Sequence, residues 1–203
     1  MSAPTARDAT YLPGIEANAK PGVYRELIDA AKNRGTEYPR IWDLFAFQHD
    51  VTVYLARFTE GVMRQPSTIS VGMRELIAAY TSHQNDCGFC TQAHAATAGE
   101  LLGHDLVRTV LLDVNDAPLD EKDKQLLRFV GKATKHLPAI SSADIEALRM
   151  AEWDDEAIYF AITTCALFNF YNRWITACGV PEMSAEKHLE QGRMLAARGY
   201  IRE

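Results

Sequence analysis

The chain has 203 residues, of which 47% are hydrophobic, which is enough for one domain with a sizeable core or two small halves sharing a core. Its formal net charge of −6 and the lack of a polybasic run argue against nucleic acid or an anionic membrane as the main partner. No apolar stretch reaches the roughly 18–20 residues that span a bilayer, and the N-terminus lacks an apolar signal segment. We therefore expect a cytoplasmic protein, in which structural disulfides are rare.

Helical periodicity and capping residues predict an all-α chain that forms a single domain over residues 1–203. Residues 1–20 contain Pro4, Pro13 and Gly14 and are expected to form an arm on the surface. The remaining segments read as helices, several of which begin at Ser or Asp and end near Gly or Pro. In chain order these predicted helices cover 23–31, 40–63 with a break near 48–50, 71–83, 87–102, 105–112, 119–137, 141–151, 154–177 and 184–198.

The predicted helix at 154–177 is the longest, and it is apolar on most of its sides. Such a helix is buried in a core or in an interface between subunits. Asn169, Asn172 and Arg173 are polar exceptions, for which we favour structural roles over lining a site, because buried polar groups need partners. Cys165 and Cys178 are expected to act as small hydrophobic residues.

The motif with the clearest chemistry is formed by Cys87, Cys90 and His94, whose spacing puts two thiols and an imidazole on one face of a helix. Residues 82–86 favour a helix start, which predicts Cys87 in the first turn and Cys90 one turn further in. The helix dipole favours Cys87 as the more acidic thiol, whereas a nearby base favours Cys90 as the nucleophile. The motif therefore predicts a redox-active dithiol with its own base.

Glu75 lies upstream in an apolar run, where a carboxylate is costly without a partner. If the helices at 71–83 and 87–102 form a hairpin, Glu75 returns to the neighbourhood of His94. A carboxylate bonded to one imidazole nitrogen fixes the tautomer and makes the other nitrogen a better base. We therefore interpret 67–103 as a catalytic helix pair. The alternatives are a Glu75 that pairs with Arg74 and a His94 that belongs to the core.

Two other roles for the cysteines remain open at this point. They can be core residues, or Glu75, Cys87, Cys90 and His94 can form a compact zinc site. A four-ligand zinc knuckle lacks its second half, because the remaining two cysteines stand thirteen residues apart in and near the long apolar helix.

The spacing resembles the core motif of the AhpD-like alkylhydroperoxidase family, within the carboxymuconolactone decarboxylase superfamily. The resemblance is carried by six residues, Glu75, Ser82, Asn85, Cys87, Cys90 and His94. Residues 168–173 and 179–181 are similar to a downstream segment of the peroxidase-related members. The resemblance implies an AhpD-like helical fold with the Cys-x-x-Cys at the N-terminus of a core helix. It also implies homo-oligomerisation and reduction of hydroperoxides without metal, haem or flavin.

The resemblance further implies that Cys90 is the peroxidatic thiol and Cys87 the resolving one, with Glu75 and His94 as the proton relay. An exposed Cys87 would meet the reductant, an external dithiol or a thioredoxin-like protein, which reopens the redox-active Cys87–Cys90 disulfide. The alkylhydroperoxidase itself has a second histidine between its cysteines, where this chain has Phe89. The relay must therefore be shorter or use water. His83 is one candidate substitute, although its alternative role as an exposed helix-end residue is favoured.

We therefore predict a thiol-dependent hydroperoxide reductase with a role in antioxidant defence. A general disulfide oxidoreductase is the nearest alternative. The lactone decarboxylases of the same superfamily lack the catalytic dithiol, so both cysteines count against that activity. A zinc-stabilised or purely structural helical oligomer is the non-catalytic alternative.

Overall fold

A computed structural model describes residues 9–202, and within this range it contains helices and no strands, which confirms the predicted all-α fold. The first eight residues of the predicted arm lie outside the described residues. Residues 13–17 of the arm form a short helix that starts at a proline. The helices are α1 (Pro13–Ala17), α2 (Val23–Arg34), α3 (Ile41–Phe47), α4 (His49–Arg64), α5 (Val71–Gln84), α6 (Gly88–Leu102), α7 (His104–Leu112), α8 (Glu121–Lys135), α9 (Ser142–Met150), α10 (Asp155–Cys178) and α11 (Ala185–Arg198), with a 3-10 turn at Leu137–Ala139.

Local signals set several of the helix ends. The side chains of Ser70, Asp154 and Ser184 cap α5, α10 and α11 by accepting a hydrogen bond from a backbone N–H in the first turn. Gly35 and Gly179 end α2 and α10 in the left-handed conformation, with φ of 63° and 68°. The starts of α5, α10 and α11 and the end of α10 lie within one residue of the predicted ones, because capping depends on residues that are neighbours in sequence. The first of these helices in the chain, α2, continues to Arg34 and so passes its predicted end at residue 31.

The centre of the fold is the hairpin of α5 and α6, which confirms the predicted pairing of these helices. Gly72 at the start of α5 lies against Leu102 at the end of α6, so the two helices are antiparallel. α10 packs on α5, and α11 packs on α6. Two apolar clusters result, and the one formed with α2, α3 and α4 contains both Cys87 and Cys90.

α10 is buried along one face only. Tyr159, Ile162 and Phe170 project from its other face and are 41–62% exposed. Of the two predicted locations for this helix, a core or an interface, the core accounts for one face, and the exposed side chains of the other face are of the kind found in interfaces. Among the described residues, no helix has the length and apolar character needed to cross a membrane.

The close crossing of α6 and α11 depends on Gly192. A Cβ at this position would lie 2.7 Å from the Ala96 Cβ and 2.8 Å from the Ala96 carbonyl carbon. We expect Gly192→Ala to lower the free energy of unfolding by about 1–3 kcal/mol, because the helices must move apart. The control is Gly61→Ala in α4, where an added Cβ meets nothing within 4 Å. There we expect a gain of roughly 0.5–1 kcal/mol from helix propensity. Urea unfolding measures both, and equal stability of the two variants would contradict the prediction.

Candidate active site

The dithiol lies where α5 turns into α6. Cys87 is the N-cap residue of α6, with an extended backbone (φ −91°, ψ 92°), and Cys90 lies in the first turn. The prediction that placed Cys87 inside the first turn is therefore off by one position. The reason is that Asp86 takes a φ of 54°, and the Cys87 N–H donates to the Ser82 carbonyl at 3.0 Å, which completes the end of α5. Both thiols are unbridged and buried, so the expected exposure of Cys87 is wrong.

The two thiols differ in acidity. The hydrogen bond from the Cys90 thiol is the main reason why the pKa of Cys87 falls to about 6, even though burial acts in the opposite direction. The Cys90 backbone N–H and the side chains of Thr176 and Asn172 lower this pKa further. The same thiol–thiol hydrogen bond, together with burial, raises the pKa of Cys90 well above its usual range. The hydrogen bond between the thiols therefore favours the thiolate on Cys87 and the proton on Cys90.

The hairpin brings Glu75 against His94, as the spacing predicted. The Nδ1 atom of His94 lies 2.8 Å from Oε2 of Glu75, and the Glu75 side chain is completely buried. Burial raises the pKa of Glu75, but the hydrogen bond to His94 and the positive charge of Arg64 outweigh it and leave that pKa below its usual value. An ionised carboxylate only accepts hydrogen bonds, so the Nδ1 atom of His94 is the donor to Glu75, and Nε2 is the ring nitrogen that does not contact this carboxylate.

Two residues outside the predicted pair complete the surroundings of Glu75. Nη2 of Arg64, at the end of α4, lies 2.7 Å from Oε1 of Glu75. The hydroxyl of Tyr200, which follows α11, donates to the same oxygen at 2.6 Å. Arg74, the alternative partner considered for Glu75, instead donates to the carbonyls of Val62 and Gln65. The carboxylate therefore has three donors from three different elements.

Asn172 ties α10 to the turn that holds Cys87. Its amide donates to the Ser82 hydroxyl at 2.8 Å, and it accepts from Asn85 at 2.9 Å. Asn85 also donates to Asn169, at 3.0 Å, so three amides form one chain beside the dithiol. These contacts fit the structural role that the sequence favours for Asn172. Its side chain also forms hydrogen bonds with the sulfurs of Cys87 and Cys90. Arg173 bonds to Asn169 on the exposed side of α10.

A cavity of about 110 Å³ adjoins Cys90 and His94. Cys90 and His94 are among the residues that line it, whereas Cys87 faces Asn172 and Thr176. Its other walls are mostly aromatic or aliphatic side chains, which include Tyr24, Trp42, Phe45, Phe168, Tyr171 and Ile175. An apolar protein cavity of roughly 150 Å³ is known to bind benzene, so this one suits a small apolar organic molecule.

Phe89, which stands in place of the family's second histidine, lines this cavity and packs against the ring of His188 at 5.8 Å between centroids. His188 is buried and has no hydrogen-bond partner among residues 9–202, and burial lowers its pKa, which keeps it neutral. His83 is exposed and borders a separate cavity, so the structure fits its alternative as a helix-end residue. No group of three or more His, Cys, Asp or Glu side chains within residues 9–202 is arranged to hold a metal ion.

Comparison with known proteins finds similarity in both sequence and structure. Residues 50–101, which include Glu75, Cys87, Cys90 and His94, match the model of the carboxymuconolactone decarboxylase family. An uncharacterized peroxidase-related protein from Silicibacter sp. TM1040 has a similar structure, with a TM-score of 0.77 and 26% identity over 95% of this chain and 100% of that one. No curated protein matches the sequence significantly.

Two more distant structures share the fold. One is an alkylhydroperoxidase AhpD core, an uncharacterized peroxidase-related protein from Ralstonia eutropha JMP134, with a TM-score of 0.71 and 23% identity over 95% of this chain and 98% of that one. The other is the debrominase Bmp8 in its apo form, with a TM-score of 0.65 and 18% identity over 89% of this chain and 92% of that one. Fold and site together define an all-α protein of AhpD-like architecture. The segment that holds the site is similar to the carboxymuconolactone decarboxylase family, and the chain shares its fold with the AhpD-like structures.

Proposed function

We propose that the protein is a thiol-dependent hydroperoxide reductase. The observation that carries the proposal is that Cys90 and His94 line one apolar cavity, while Glu75 holds the His94 Nδ1 proton. A small organic hydroperoxide in the cavity meets a thiol next to a base whose free nitrogen is Nε2. The acidic Cys87, in contact with Cys90, supplies the second sulfur that a disulfide needs.

In the first step the Cys90 proton passes to Nε2 of His94, directly or through a water. The Cys90 thiolate attacks the oxygen distal to the organic group, so that an S–O bond forms and the O–O bond breaks. The alkoxide takes the proton from His94 and leaves as an alcohol, while Cys90 becomes a sulfenic acid. Cys87, already a thiolate because its proton has gone to solvent, then attacks the Cys90 sulfur, so that an S–S bond forms and the S–O bond breaks. The leaving hydroxide takes up a proton from solvent and becomes water. Two thiols and one hydroperoxide thus give a disulfide, an alcohol and water.

The reaction cycle needs an external reductant, for which we propose a dithiol or a thioredoxin-like protein that attacks the Cys87–Cys90 disulfide. We also propose that the protein works as a homo-oligomer. The exposed Tyr159, Ile162 and Phe170 of α10 support this, because large apolar side chains are enriched in the buried centres of interfaces.

A general disulfide oxidoreductase is the second candidate, and the acidity of Cys87 favours it. A Cys-x-x-Cys at the start of a helix, with a first thiol of pKa about 6, is suited to thiol–disulfide exchange. In that case an external disulfide, and not a peroxide, is the oxidant.

Stopped-flow oxidation of the reduced protein separates the two candidates. We expect tert-butyl hydroperoxide to form one Cys87–Cys90 disulfide per chain, and to do so faster than hydrogen peroxide, because the cavity is apolar. A model disulfide at the same concentration is expected to react more slowly. Fast reaction with the disulfide alone favours the exchange enzyme. Failure to react with either hydroperoxide faster than free cysteine at the same pH contradicts the peroxidase proposal.

A further inference from the structure

We propose that Tyr200 is a positioning residue of this site, and that the chain segment after α11 is therefore part of the catalytic apparatus. The inference rests on the proposed function for its effect on the reaction, although its geometric basis is independent of any substrate. Tyr200 belongs neither to the Cys-x-x-Cys motif nor to the α5–α6 hairpin, and it reaches Glu75 from a position 125 residues away in sequence.

The backbone around Tyr200 is held in place. Gly199 ends α11 with a φ of 72°, a conformation that favours glycine. The Tyr200 N–H donates to Oε2 of Glu60 at 2.6 Å, and Arg202 donates to the Gly199 carbonyl at 2.8 Å. These contacts turn the chain back across the cavity that Tyr200 and Arg202 help to line.

The two carboxylate oxygens of Glu75 have different hydrogen-bond partners, and Tyr200 is a partner of only one of them. Tyr200 and Arg64 both donate to Oε1, which leaves Oε2 for Nδ1 of His94. Burial raises the pKa of Tyr200 well above its usual value, so the phenol keeps its proton and remains a donor. The Tyr200 ring also stacks on His94 with an interplanar angle of 21°, and the Arg64 guanidinium covers it at 4.8 Å. We infer that Tyr200 keeps Oε2 directed at Nδ1, and with it the Nε2 lone pair of His94 free for the dithiol.

The chain contains a matched arrangement outside the site. Tyr38 donates to the buried Asp43 at 3.3 Å, Arg40 pairs with the same carboxylate at 2.6 Å, and the Arg40 guanidinium lies 5.3 Å from the Tyr38 ring centroid. Tyr38→Phe therefore removes a hydroxyl from a tyrosine, carboxylate and arginine group of the same kind. It serves as the control for the general loss of a buried hydrogen bond.

The test compares Tyr200→Phe with Tyr38→Phe in the full chain, by ¹⁵N NMR of the His94 ring and by the rate of oxidation with tert-butyl hydroperoxide as a function of pH. In the wild type and in Tyr38→Phe we expect His94 to hold its proton on Nδ1 alone. In Tyr200→Phe we expect both neutral tautomers, and an oxidation rate about tenfold lower at neutral pH, since a hydrogen bond to a charged group is lost.

A Tyr200→Phe protein whose His94 tautomer matches the wild type overturns the inference, whatever its rate. Mixed tautomers with an unchanged rate and pH profile also overturn it, because the orientation of Glu75 then has no consequence for the thiols. If the wild type fails to react with hydroperoxides, the proposed function falls. The rate is then replaced by alkylation of the thiol pair with iodoacetamide over the same pH range, and the tautomer result still decides the role of Tyr200.

Discussion

In Cys90→Ser we expect the rate of oxidation by peroxide to fall by on the order of 10⁴-fold, because the nucleophile is gone. The variant should also form no sulfenic acid that dimedone can trap. Cys87→Ser is expected to react once and then accumulate a trappable sulfenic acid on Cys90, because the resolving thiolate is gone. The reason for the asymmetry is position, since Cys90 lines the cavity beside His94 whereas Cys87 faces Asn172 and Thr176. Mass spectrometry of the dimedone adduct identifies the sulfur.

The rate of disulfide formation in the wild type is expected to depend on pH. Because the pKa of Cys87 is lowered to about 6, the pair carries its negative charge above that pH and loses it below. We expect closure of the Cys87–Cys90 disulfide, in which the Cys87 thiolate attacks the Cys90 sulfenic acid, to speed up as the pH passes through about 6 and to level off at neutral pH. The absorbance of the thiolate at 240 nm measures the same transition without any substrate.

Cys178→Ser is the control for this pair, because it removes a partly exposed thiol from the end of α10 and should change neither the rate nor the trapping. The informative contrary result is a sulfenic acid that persists in Cys90→Ser and disappears in Cys87→Ser. Acidity would then matter more than access to the cavity, and the two cysteines would exchange roles.

The parts of this fold that could be predicted depend on short stretches of sequence. The starts of α5 and α10 follow from Ser70 and Asp154, and the end of α10 follows from Gly179, because each acts on backbone groups within a few residues. The contact between Glu75 and His94 could also be predicted, because a short turn between two helices favours an antiparallel hairpin. A left-handed residue such as Asp86 is harder to foresee, and it moved Cys87 from the first turn of α6 to its N-cap.

The rest of the site depends on how distant elements pack. Nothing in the spacing of Arg64 or Tyr200 points to Glu75, because one ends α4 and the other follows α11. The sequence offers one indirect signal. A buried carboxylate loses the free energy of its hydration, and a hydrogen bond from a single imidazole offsets only part of that loss. The sequence could therefore show that Glu75 needed further donors, but it could not show which residues supply them.

Arg64→Met is expected to lower the free energy of unfolding at neutral pH by about 3–5 kcal/mol, because it leaves the buried Glu75 carboxylate without its cation. In the wild type the pKa of Glu75 lies below its unfolded value, so the ionised group stabilises the fold above roughly pH 4.3 and this contribution is lost as the pH falls. In Arg64→Met the pKa of Glu75 should be raised instead. The stability deficit should therefore shrink as the pH falls toward 4, where the carboxylate becomes protonated.

Urea unfolding at pH 7 and pH 4.5 measures this loss and its pH dependence. Arg25→Met is the matched control, since Arg25 and Asp29 are also 2.7 Å apart but nearly half exposed, and such a pair contributes about 1 kcal/mol or less. Adding Glu75→Gln to Arg64→Met removes the unpaired charge and should restore part of the stability at neutral pH, so the two changes should be non-additive. Additive losses, or a deficit that is the same at both pH values, would mean that Arg64 stabilises the fold through its stacking on Tyr200 and its bond to the Leu195 carbonyl, and not through the charge of Glu75.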